Sequence, residues 1–256
     1  MPNRHRTTPL LSWALAASFA LCATAIGWVF WATPIDDNLG IVQKIFYIHV
    51  GAAFAMLLCM VAAAGAAVVD LMAPNEPVDA FGRAFTEVGL VFALIVLTSG
   101  PLWARKSWGA WWTWEPRLTL TLLAAFIAVA VIAVRGFAAG PRGGRKIGNA
   151  LIVLAAPTAY LIHIAVQKWG GTHPQVIQGG GIANWQMRLA FWGCVAAILA
   201  VAFAMVALRG RVLRLQTTVA DLQLERQAVQ LRRARQQAQA LSQTALAASL
   251  NTAPPA

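Results

Sequence analysis

Six apolar stretches, at roughly 10–32, 45–72, 84–104, 118–139, 148–167 and 185–208, constrain this chain more than any other feature of its sequence. Crossing a hydrocarbon layer of about 30 Å takes about 20 helical residues, and each stretch is of that order. Backbone N–H and C=O groups find no partner in lipid, so every such stretch has to satisfy them internally as a helix. Composition points the same way: 59% of the residues are hydrophobic and only 11% are charged. That is too little charge to cover the surface of a water-soluble domain of 256 residues. The expected fold is all-α, a polytopic membrane protein built as a six-transmembrane-helix bundle.

The first stretch invites comparison with a signal peptide, since "MPNRHR" precedes it and "ATA" stands at 23–25. Its apolar run is longer than a usual signal core and continues through Trp28, Phe30 and Trp31. It reads as a retained first helix. Lys and Arg in the connections set the orientation. Arg4, Arg6, Arg83, Arg135, Arg142, Arg145, Lys146 and the basic tail fall on one side; Lys44, Arg105, Lys106, Arg117 and Lys168 fall on the other. The larger set marks the cytosol, so both termini are expected inside. This gives a cytosolic tail at 1–9, a membrane domain at 10–208 with outer loops 33–44, 105–117 and 168–184, and a cytosolic segment at 209–256. The net charge of +11 resides largely in these loops and the tail, so it does not imply nucleic acid.

From Arg209 the chain turns polar, and Leu215, Val219, Leu222 and Val229 recur at spacings that fit one helical stripe. An amphipathic cytosolic helix is expected, with a short coiled coil or a lipid surface as its resting place. Cys22, Cys59 and Cys194 all fall inside apolar stretches and form no C-x-x-C, so neither a dithiol centre nor a zinc site is indicated.

The segment "WGAWWTWEPR" at 108–117 places Trp108, Trp111, Trp112 and Trp114 within seven positions, beside Glu115 and Arg117. His49 stands at the outer end of the second helix and His173 in the loop after the fifth. Odd-numbered loops of a six-helix chain share a side, so these three regions converge on one membrane face. A flat apolar ring with an iron centre needs axial imidazoles and an aromatic platform, and this face offers both. Arg117 and Lys106 stand where carboxylates of such a ring would be met. Another account stays open, because Trp gathers at membrane interfaces in any case. Glu115 and Arg117 also read as a surface pair of little energetic consequence. His163 reads as a buried packing residue of the fifth helix, and His5 as a solvated tail residue.

"WGAWWTWEPRLT", "QKIFYIHV" at 43–50 and "IHIAVQKWGGTH" at 162–173 together resemble, in order, three blocks of the haem exporter protein C family of cytochrome c maturation. The resemblance runs from about 10 to 208. It implies that His49 and His173 are axial ligands of a transiently held, non-covalent haem b, with Trp108, Trp111, Trp112 and Trp114 as its platform. Glu115 and Arg117 belong to the same motif. It also implies a haem-binding and delivery protein rather than an enzyme, with assistance to the covalent haem–chaperone bond left open. The implied location is the bacterial inner membrane, with the haem site facing the periplasm. The implied partners are a membrane-tethered haem chaperone, an ABC-type ATPase with its membrane subunit, and a small single-helix protein. Glu115 replaces the family's usual Asp, Lys168 a usual Trp, and the loop after the fifth helix is unusually rich in Gly. The alternative is a transporter subunit passing its substrate through the bundle. A synthase joining haem to apocytochrome would call for a longer chain and a second pair of histidines.

Overall fold

A computed structural model describes residues 7–137, 144–173, 182 and 184–251. Among them are six α-helices and no strand: α1 (Thr7–Ala32), α2 (Ile45–Met72), α3 (Glu76–Trp108), α4 (Pro116–Phe137), α5 (Arg145–Trp169) and α6 (Trp185–Asn251). All six are long and apolar enough to cross a membrane. A 3-10 turn, Ile41–Lys44, leads into α2.

The helix ends follow local chemistry. Asn75 caps α3 by accepting from the Val78 N–H at 3.2 Å, with Pro77 in the first turn and Glu76 and Asp79 beside the positive end of the helix. Gly109 ends α3 in the left-handed conformation. α3 is longer at both ends than hydropathy indicates. Only 73–75 separate it from α2, and Arg105 and Lys106 belong to its last turn rather than to a loop. The outer loop therefore shrinks from 105–117 to 109–115. The sixth helix likewise carries on past Arg209, since nothing after Gly210 breaks it.

Two units are distinguished, Met1–Arg214 and Leu215–Ala256. In the first, small residues let helices approach closely. Ala52, Ala55, Ala63 and Ala67 of α2 are buried, as are Ala80, Ala84 and Ala93 of α3. A Cβ on Gly89 would stand 3.0 Å from that of Cys59, and one on Gly51 only 2.6 Å from Ile198 Cδ1. Cys59 and Cys194 are buried free thiols, and Cys22 is partly buried. In the second unit, Leu215, Val219, Leu222 and Val229 are all exposed.

Several cations expected in loops lie inside. Lys44 is buried and donates to the carbonyls of Val29 at 3.0 Å, Phe30 at 2.9 Å and Thr33 at 3.1 Å, closing the free end of α1. Arg135 grips Asp79 at 2.8 and 3.2 Å and also donates to Asn149. Arg145 donates through Nε to Asp70 at 2.7 Å, and Asn149 reaches the same Asp70 oxygen at 2.7 Å. These side chains tie α2, α3, α4 and α5 together at one end. Arg4, His5, Arg6 and Arg142 lie outside the described residues, as does most of the 168–184 loop beyond His173.

Candidate functional site

At the opposite end, α2, α3, α4 and α5 part to form a cavity of about 270 Å³. Its lining includes His49, His173, Trp108, Trp111, Trp112 and Arg117. These come from α2, the end of α3, the short loop after it, the start of α4, and the segment that leaves α5 at Gly170. Three distant stretches of chain thus supply one concave surface.

The two imidazoles line this space with ring centres 6.4 Å apart and planes 37° from parallel. One metal ion between two imidazoles, each bonded at about 2 Å with roughly a further 1 Å to the ring centre, sets the centres about 6 Å apart. The observed spacing is of that order. Each ring is also held from behind. His49 Nδ1 meets Ser99 Oγ at 2.9 Å, and His173 Nδ1 meets Glu115 Oε1 at 3.2 Å. Neither Nε2 has a partner among the described residues. Burial holds the His173 imidazole below its ordinary pKa, the Arg117 charge pushes in the same direction, and Glu115 opposes both. Neutral imidazole is the metal-binding form.

The tryptophans make a wall of edge-to-face contacts. Trp103 stands at 5.6 Å and 89° to Trp108, and Trp108 at 5.8 Å and 63° to His173. Trp103 and Trp112 line the cavity, and both indole N–H groups are buried without a partner among the described residues. Such donors suit a guest that brings acceptors. Trp114 is different: it is 76% exposed, stands edge-on to Trp112 and is not part of the lining.

Glu115 forms no ion pair with Arg117 within 4 Å among the described residues. Its carboxylate accepts instead from the Thr172 N–H at 2.8 Å, the Thr172 hydroxyl at 3.3 Å and His173. Arg117 donates to the carbonyls of Ile162 at 3.2 Å and His163 at 3.1 Å, fastening α4 to α5. Lys106 is exposed and apart from the lining. His163 is exposed on the cavity wall rather than packed in the bundle. Ser99, Trp103, His163 and Thr172 are the site residues that sequence reasoning missed. Trp103 was the most accessible of them, standing five positions before Trp108 at a helix end; nothing local distinguishes Ser99.

The family model described as "Heme exporter protein C" matches residues 3–230. The chain is similar to Heme exporter protein C of Escherichia coli (strain K12), 30% identical over 164 residues, covering 64% of this chain and 66% of that protein. It is similar also to the proteins of that name from Rhodobacter capsulatus and Paracoccus denitrificans, each 28% identical over 165 residues, 64% of this chain and 68% of theirs. The matched stretch spans just under two thirds of the Escherichia coli relative.

Proposed function

The chain belongs to the haem exporter protein C family, and on that premise we propose that it holds haem b as cargo and delivers it during c-type cytochrome maturation. His49 and His173 take the iron from its two faces. Trp103, Trp108 and Trp112 pack against the ring, and Arg117 meets a ring carboxylate from the α4–α5 wall. Trp111 and Trp114, more than half exposed, stand where a partner reaches the outward edge. The recipient is a membrane-tethered haem chaperone. The chain works with an ABC-type ATPase, its membrane subunit and a small single-helix protein. The site faces the periplasm from the inner membrane, with both termini in the cytosol and the segment beyond 208 as a basic cytosolic helix.

The observation that carries this reading is the pair of imidazoles 6.4 Å apart beside a tryptophan wall. Delivery is favoured over passage through the bundle by what lies below the cavity. One turn further along α2 and α4 lies a void of about 50 Å³, bounded by apolar side chains such as Met60, Phe85 and Ile127. Beyond it stand the interlocked Asp70, Asp79, Arg135 and Arg145 side chains.

Purified protein is expected to show a bis-imidazole haem spectrum, and the double variant His49→Ala, His173→Ala to lose it together with chaperone loading. Unchanged haem retention and full loading by the double variant would sink the proposal.

A further inference from the structure

A histidine can offer a lone pair from either ring nitrogen, depending on which one carries the proton. In this site the surroundings decide. The Ser99 hydroxyl has one hydrogen and two acceptors in reach, the Ile95 carbonyl at 2.6 Å and His49 Nδ1 at 2.9 Å, and the shorter contact favours donation to the carbonyl. With its hydrogen so placed, Ser99 Oγ presents a lone pair to His49 Nδ1, and the imidazole is the donor. An ionised carboxylate has no hydrogen either, so His173 donates from Nδ1 to Glu115 Oε1. Both rings are set with the proton on Nδ1 and the lone pair on Nε2.

The two supports differ in strength. A carboxylate behind an imidazole draws its Nδ1 proton and makes the ring a more basic ligand, while a hydroxyl does so less. Glu115 is moreover fixed in place. The Thr172 N–H and hydroxyl hold its Oε2, and Gly171 leaves it room: a Cβ there would lie 2.5 Å from Oε2, on backbone with φ +146°. Gly100 does the corresponding service for His49, since a Cβ there would press on its Cε1 at 3.2 Å.

We infer that Ser99 and Glu115 are positioning residues that preset His49 and His173 as a pair of Nδ1–H imidazoles, with Glu115 making His173 the stronger donor to iron. This rests on the haem-delivery reading for the identity of the metal, whereas the tautomers belong to the chain alone.

The test has a haem-free arm and a loaded arm. In haem-free protein labelled with 15N-histidine, nitrogen shifts should report Nδ1–H for both His49 and His173, the minority form of free histidine. In loaded protein, Glu115→Gln should weaken haem binding by about 10–100-fold, as loss of an outer-shell partner commonly does. It should also raise the iron reduction potential. Ser99→Ala should move both quantities the same way by less, and Glu115→Asp, which keeps the carboxylate, should restore the potential toward wild type. Nε2–H on either ring of the wild-type chain overturns the inference, as does a Glu115→Gln potential equal to wild type. Nδ1–H on both rings in a chain that binds no haem would instead sink the delivery reading while supporting the positioning roles.

Discussion

The two ends of the bundle use polar residues in opposite ways. At one end Asp70, Asp79, Arg135, Arg145 and Asn149 bind one another across four helices, with Arg135 and Asp79 side chains only 3% and 10% exposed and Arg135 Nε left without a partner among the described residues. At the other, Ser99 and Glu115 each hold a histidine and Arg117 holds two backbone carbonyls around an open cavity. Buried charge pairs are costly to break, because removing one partner strands the other. An end built from them resists separation of its helices. The cavity end leaves both His49 and His173 Nε2 and two indole donors, all on residues that line open space, without a partner among the described residues, which is how a site prepared for a guest differs from a clamp.

Changes at the two ends should therefore separate binding from stability. The largest effect is expected for His49→Ala with His173→Ala: loss of the bis-imidazole spectrum, with little change in unfolding of the haem-free chain. A haem-free chain that melts far earlier in this variant would show that the histidines also serve the fold, and the contrast would weaken. Next in size is Asp79→Ala, which leaves the buried Arg135 guanidinium without its carboxylate and with Asn149 as its remaining hydrogen-bond partner. A loss of about 3–5 kcal/mol is expected, read by denaturation in detergent, with haem affinity of the folded fraction preserved. Lys44→Met removes three hydrogen bonds from an ammonium to the end of α1. At about 1.5–3 kcal/mol for bonds to a charged group, it should lower stability and loosen α1, which protease access near Thr33 would reveal. The smallest effects sharpen the division inside the tryptophan motif. Trp112→Ala should weaken haem binding by about 1 kcal/mol, the scale of one aromatic contact. Trp114→Ala should leave binding intact and slow only transfer to the chaperone. Equal losses of affinity in these two variants would mean that Trp114 folds onto the ring after all.

Particular residues show where the sequence was legible. The six helices are read from runs of apolar residues, because the need to satisfy the backbone in lipid is local. His49, Trp108 and His173 were placed on one side by counting helices, and the structure brings their rings together. Arg135 and Arg145 were counted as cytosolic markers. They are occupied by Asp79 and Asp70, 56 and 75 positions away, pairings that no spacing reveals. Glu115 looked like a surface partner for Arg117 two residues on, yet successive residues at a helix start diverge, and each found a partner on the chain near the end of α5. His163 sits on an apolar helix, and only the parting of α4 and α5 from α2 and α3 exposes it on the cavity wall.

The sequence by itself determined the number of spanning helices, the all-α class, and a face carrying two histidines and a tryptophan cluster. Each follows from hydropathy and order along the chain. Tertiary packing alone decided which charges are internal, which tryptophans reach the cavity, and which nitrogen of each imidazole is free. Those depend on contacts such as Ser99 with His49 and Glu115 with His173, 50 and 58 residues apart in the chain, and distance along the chain carries no information about which helix faces meet.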